Sequence, residues 1–120
     1  MHDIDPAFCY VTTTGRRTGR PHTIEIWFGR SGATLYVLAG GRERADWVRN
    51  LMANPLVRVR VGDGDEVDAR ARVLDDDAEE DALARRLVLE KYQRPGRSDL
   101  DGWGRSALAV AFDLRQPSAG

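Results

Sequence analysis

The chain contains one cysteine, one lysine and two histidines, and it has no apolar run long enough to cross a membrane. A lone thiol, Cys9, excludes an internal disulfide and points to a reducing, cytoplasmic setting. No base accompanies it, so Cys9 reads as a small packing residue rather than a nucleophile. The sparse His and Cys show no ligand spacing, so no metal is expected. The net charge of −1, from 18 basic and 19 acidic residues, lacks the positive excess of a nucleic-acid binder. The opening Met1-His2-Asp3-Ile4-Asp5-Pro6 has neither the basic start nor the apolar centre of a signal peptide. These absences leave small molecules as partners, with no nucleic acid and no membrane insertion.

What is present suits one domain over residues 1–120, with residues 1–6 and 116–120 frayed. Hydrophobic residues make up 42% and charged residues 31%, the profile of a globular chain with a real core. Of the 18 basic residues 17 are arginine, an actinobacterial-type composition that reflects a GC-rich genome.

The most concentrated chemistry lies in Thr12-Thr13-Thr14-Gly15-Arg16-Arg17-Thr18-Gly19-Arg20-Pro21. Glycine permits positive φ, so this turn can fold tightly and present amides as an anion-binding concavity. Arginine adds charged forks that match phosphate or carboxylate oxygens in pairs. The pattern reads as a grip for a polyanion; a solvated hairpin is the plainer alternative.

Strand signals flank it. Phe8–Thr13 is β-branched and aromatic, and His22–Phe28 alternates, with His22, Ile24, Ile26 and Phe28 on one face. Gly29-Arg30-Ser31-Gly32 reads as a turn before a strand at Thr34–Ala39, giving an antiparallel meander of three strands. Glu25 reads as solvent-facing. Gly40-Gly41 leads into helical spacing over Arg42–Ala53, ended by Asn54-Pro55. That glycine pair offers a second place for an anion, at a helix N-terminus.

Leu56–Val61 and Val67–Val73 follow as a hairpin, and face parity requires an odd loop between them. Asp63-Gly64-Asp65 satisfies this with Gly62 opposite Glu66, placing Arg60 opposite Asp68 and Arg58 opposite Arg70. The acidic run Asp75–Asp81 opens a helix to about Tyr92, stopped by Pro95-Gly96, its acids complementing the helix dipole. Arg97–Gly104 reads as irregular, and Ala107–Leu114 as a final strand. The expected order is β-β-β-α-β-β-α-β, mostly antiparallel, in a small barrel or curled sheet.

Thr-Thr-Gly-Arg-Arg-Thr-Gly-Arg-Pro, Leu-Tyr-Val-Leu-Ala-Gly-Gly, Trp47-x-x-Asn50-Leu51-x-x-Asn54-Pro55 and Val57-x-Val59 together resemble the deazaflavin-dependent nitroreductase family. The resemblance covers about Val11 to Val73. It implies an α+β, mainly β, split β-barrel related to flavin-binding proteins. It also implies an oxidoreductase using reduced coenzyme F-420, an 8-hydroxy-5-deazaflavin, to reduce a quinone, a nitro compound or an activated alkene.

Position by position, the resemblance implies cofactor contacts at Thr14, Gly15, Arg16, Arg17, Thr18, Gly19 and Arg20, at Ala39, Gly40 and Gly41, and at Trp47 and Asn50. Many relatives carry Lys where this chain has Ala39, and Tyr where it has Val48. Of their tyrosine-rich segment only Tyr92 has a counterpart. Tyr92, Tyr36 or solvent are the candidate proton donors. Two other readings stand beside this one: an FMN-dependent split-barrel oxidoreductase, and a non-catalytic deazaflavin- or flavin-binding protein. Monomer and homodimer both stay open.

Overall fold

The computed structural model describes residues 7–74, 78–92 and 100–115. Seven strands form one antiparallel sheet: β1 (Cys9–Thr14), β2 (Pro21–Ile26), β3 (Gly29–Ser31), β4 (Thr34–Ala39), β5 (Leu56–Val61), β6 (Val67–Val73) and β7 (Leu108–Leu114). Three helices accompany them, α1 (Asp46–Ala53), α2 (Ala78–Tyr92) and α3 (Leu100–Ser106), with a 3-10 turn at Arg42–Arg44. The spatial order is β2-β1-β5-β6-β7-β4-β3. None of these helices is long and apolar enough to cross a membrane.

Alternation decides which side of the sheet each residue covers. On the inner side Val11, Val37, Val59, Val110 and Phe112 close around Val48 and Leu51 of α1, all 2% exposed or less. On the other side Tyr36, Leu38, Ala109 and Ala111 meet Ala84 and Val88 of α2. β4 and β7 therefore lie between two cores and are apolar on both faces. β2 lies at an edge and keeps polar residues outward; its Glu25 is exposed and accepts a hydrogen bond from the Tyr10 hydroxyl at 2.9 Å.

The structure corrects four expectations. The first three long strands do not form a meander: β1 and β2 pair, but β4 lies between β3 and β7. Gly29–Ser31 is not a turn; it pairs with β4 around Gly32, whose φ of +60° suits glycine. The β5–β6 ladder keeps the odd parity but slips by two residues, because Gly62 bends the chain at φ +55°. Arg58 thus faces Asp68, and Leu56 faces Arg70, so the like-charge pair never forms.

Fourth, part of the stretch read as irregular is α3. Gly102 and Gly104 hide that helix from propensity. Gly104 lets α3 approach α2 closely, since a Cβ on it would stand 2.6 Å from Leu89 Cδ1 and that side chain would have to move. The Pro95-Gly96 stop, the acids Asp75–Asp77 and both chain ends lie outside the described residues.

Candidate functional site

The turn joining β1 and β2 is built by its own backbone. Gly15 N–H donates to the Arg20 carbonyl and Gly19 N–H to the Gly15 carbonyl, both at 2.8 Å. Gly19 takes φ +74°, and Thr18 Oγ1 accepts the Arg20 amide at 3.2 Å. Arg16 N–H donates to Asn50 Oδ1 at 3.2 Å. Four of the turn's amides are thus committed internally, and among the described residues only those of Arg17 and Thr18 are left to face outward.

Asn50 explains how the turn is held. It is 4% exposed, its oxygen also accepts Arg16 Nη1 at 2.8 Å, and its Nδ2 donates to Thr13 Oγ1 at 3.1 Å. One buried amide therefore ties α1 to β1 and orients Arg16. The Arg16 fork also reaches Asp46 Oδ1 at 3.3 Å. Asp46 is the first residue of α1, where no side chain caps the helix start.

Between turn and helix runs a groove of about 480 Å³, walled by Arg16, Arg17, Thr18, His22, Trp47 and Asn50. Among the described residues Arg17 and Arg20 have no carboxylate partner. The positive end of α1 faces the same space, and negative charge is favoured there.

The structure gathers only part of the expected set. Gly15, Arg16, Arg17, Thr18, Trp47 and Asn50 line this groove. Thr14 and Gly19 line a second, larger depression of about 700 Å³ across the turn, with Arg58, Arg70 and Arg115. Arg16 and Arg17 converge on the smaller groove, whereas Arg20, the turn's third arginine, lines neither space.

Ala39 is 2% exposed in the core, and Gly40 packs against α3, where a Cβ would meet Trp103 Nε1 at 3.2 Å. Gly41 begins the 3-10 turn, its carbonyl accepting Arg44 N–H at 3.0 Å. These three residues do not wall the groove, and the glycine pair does not lead directly into α1, whose N-cap is Ala45.

Neither candidate tyrosine walls it. Tyr36 donates to Glu80 at 2.7 Å beneath α2, and burial, helped by that bond, pushes its hydroxyl up to about 12. Tyr92 accepts the Phe28 amide at 3.0 Å, donates to the Ala7 carbonyl at 2.5 Å, and stacks on Trp27 at 4.4 Å. Cys9 is fully buried, and burial raises its thiol to about 12, so it is inert packing.

Sequence reasoning missed His22 and Asp46. His22 was read only as one position of an alternating strand. Its place opposite Thr13, just past the turn, is the signal that could have brought it to the groove.

A curled antiparallel sheet closed on one side by a short helix is a split β-barrel. Solved structures agree: an F420-H2 dependent reductase superposes with TM-score 0.67 at 24% identity, covering 96% of this chain and 99% of that one. HutZ, the haem storage protein from Vibrio cholerae, gives 0.75 at 18% identity over 93% of this chain and 84% of its own. At these identities the likeness concerns the fold alone.

The family is shown by sequence: residues 4–98 match the F420H(2)-dependent quinone reductase model, and the chain belongs to that family. An F420H(2)-dependent quinone reductase of Mycobacterium tuberculosis is 37% identical over 60 residues, 48% of this chain and 40% of the relative. A putative F420H(2)-dependent quinone reductase of Mycobacterium bovis matches to the same extent. The match thus spans about two fifths of the curated relatives' length. Family membership implies coenzyme F-420 as cofactor. The donor set fits such a group, since Arg17, without an acid partner among the described residues, shares the groove with Arg16, which Asn50 holds in place.

Proposed function

We propose that this chain is a reductase that takes hydride from reduced coenzyme F-420 and passes it to a quinone; nitro compounds and activated alkenes are the alternative acceptors. The observation that carries the reading is the groove's uneven use of charge. Arg16 is fixed by Asn50 and Asp46, while Arg17 on the same wall stands without an acid partner among the described residues. A rigid turn carrying uncommitted guanidinium groups is organised for an anionic ligand, and a phosphodiester offers matching oxygens.

The bound deazaflavin would supply the hydride chemistry. The protein's share is placement. Arg16 and Arg17 would hold the coenzyme's charged portion, with Trp47 as an apolar wall of the groove. α1 lends its positive end, and the core behind Trp47 keeps water from that side. With Tyr36 and Tyr92 engaged elsewhere, the proton that accompanies the hydride would come from solvent or from a group brought by the substrate.

The test is titration with coenzyme F-420 and separately with FMN, followed by tryptophan fluorescence. Trp47 is the reporter, since it walls the groove, whereas Trp27 is stacked on Tyr92. Saturable quenching by the deazaflavin, with FMN inert, followed by quinone-dependent oxidation of the reduced coenzyme, is the expected result. Preference for FMN would move the chain to the flavin reading. Tight deazaflavin binding without turnover across quinones, nitro compounds and enones would make it a binding protein.

A further inference from the structure

The larger depression, about 700 Å³, shares no wall residue with the groove. Its size lies within the range of small-molecule sites, about 300–1,000 Å³. Strands β5, β6 and β7 supply all of its charged side chains, so its chemistry is separate from that of the β1–β2 turn.

The charges on this wall do not cancel, and the sheet register explains why. Arg70 has Leu56 across the ladder on one side and Asp113 on the other. Asp113 would be its natural counter-ion, but both carboxylate oxygens are taken. Arg72 donates to each of them, and Thr34 donates to Oδ1 at 3.0 Å. Arg58 leans on other acids, Glu66 at 3.5 Å and Asp68 at 4.0 Å. Among the described residues the side chains of Arg70 and Arg115 have no ion pair and no hydrogen bond.

The same space carries apolar surface. Leu56 is 60% exposed at an outward position of β5, and Pro21 and Val57 line the depression with it. A single exposed leucine is ordinary on a protein surface. Here it lies in a concavity with two unpaired guanidinium groups. Asn54, whose oxygen accepts the Leu56 amide at 3.1 Å, keeps its Nδ2 uncommitted among the described residues.

We propose that this depression is a second small-molecule site, distinct from the coenzyme groove, and that it takes an aromatic carboxylate. The carboxylate meets Arg70 and Arg115, whose planar forks match its two oxygens. The ring lies on Leu56 and Pro21, and guanidinium planes also stack on aromatic faces. Three arginines and two aspartates line the space, an excess of one positive charge, which suits a singly charged anion better than a polyphosphate.

The experiment titrates the full chain with 2-naphthoate by calorimetry at low salt, beside 2-naphthamide as the uncharged body and acetate as the charge alone. Saturable binding is expected of 2-naphthoate only. Arg70→Gln and Arg115→Gln should each weaken it roughly three- to tenfold, the value of a charged contact softened by solvent. Both residues are exposed, so thermal unfolding should not move. Leu56→Thr, which keeps a strand-forming residue and removes apolar surface, should weaken it as well. Saturating coenzyme F-420 should leave 2-naphthoate binding unchanged.

Displacement of 2-naphthoate by the coenzyme, or weakening by Arg17→Ala and not by Arg70→Gln, would put the anion in the groove and overturn the proposal. Equal binding of 2-naphthamide, or no saturable binding of 2-naphthoate, overturns it too. The comparisons at Arg70 and Arg115 need no coenzyme, so they stand or fall apart from the coenzyme reading.

Discussion

Arginine is used in two opposite ways in this molecule. Arg72, on β6, is saturated: Nε donates to Asp113 Oδ2 at 2.5 Å and Nη2 to Oδ1 at 3.1 Å, while Nη1 and Nη2 donate to Glu80 at 2.9 and 2.8 Å. The surrounding groups complete the pattern, with Tyr36 donating to Glu80 and Thr34 to Asp113. At the β1–β2 turn Arg17 and Arg20 have no acid partner among the described residues, and Arg16 is anchored chiefly by an uncharged amide. A satisfied arginine fastens α2 to β6 and β7. An unsatisfied one retains its capacity for a ligand.

The largest effect should come from breaking the satisfied side. Arg72→Met leaves two carboxylates facing each other without their shared donor. Its side chain is 40% exposed, so solvent softens the loss, and we expect roughly 2–3 kcal/mol of stability in urea unfolding at pH 7. Coenzyme affinity of the folded protein should not change. Acid makes the same break reversibly. Hydrogen bonds from Arg72, then from Tyr36, lower Glu80 to about 2, and Arg72 likewise lowers Asp113.

A carboxylate depressed in the folded state stabilises it above the ordinary value near 4.5, and that contribution fades as pH falls through about 2. Unfolding free energy should therefore drop between about pH 4.5 and 2 in the native chain and much less in Arg72→Met. An equal drop in both would deny the network this role.

Asn50 stands between the two regimes, a structural residue that serves the site. Asn50→Ala removes the acceptor of two Arg16 donors and the donor to Thr13 in a buried place. We expect about 2 kcal/mol of lost stability. Coenzyme affinity should fall as well, because Arg16 loses its orientation although no ligand contact need be removed. Asn50→Asp separates the two effects: it keeps the acceptor for Arg16 and loses the donor to Thr13. Its affinity should recover more fully than its stability.

The same contrast shows what could be read in the residues alone. Thr34–Ala39, Leu56–Val61 and the final strand were legible because alternation and apolar runs are local signals. The Gly/Arg turn was legible because its composition is dense. The pairing of β4 with β7 was not, since it joins residues some 70 positions apart that carry no mark of each other.

Nor was the role of Glu80. In sequence it belongs to an acidic run that suits a helix start, and only the approach of β6 and β7 reveals it as a partner for Arg72. Asn50 was taken for a cofactor contact on resemblance. Its burial shows that its amide is already committed to the turn and β1. His22 needed the register of β1 and β2 to be seen beside Gly15.

Arg17 is the sharpest probe of the unsatisfied side, and a cleaner one than its neighbour. Arg16→Ala would cut bonds to Asn50 and Asp46 together with any ligand contact, so its effects on fold and affinity would mix. Arg17 carries no such bonds among the described residues and lies exposed on the groove wall. Arg17→Ala should leave unfolding within about 0.5 kcal/mol of the native chain, as for other exposed positions. Coenzyme F-420 should bind roughly tenfold more weakly, the value of one charge-assisted contact softened by solvent. Added salt should narrow that gap, since screening acts on an exposed charge. Unchanged affinity at low salt would mean that the free guanidinium does not meet the ligand, and the grip would then pass to the larger depression beyond Gly19, with its Arg58, Arg70 and Arg115.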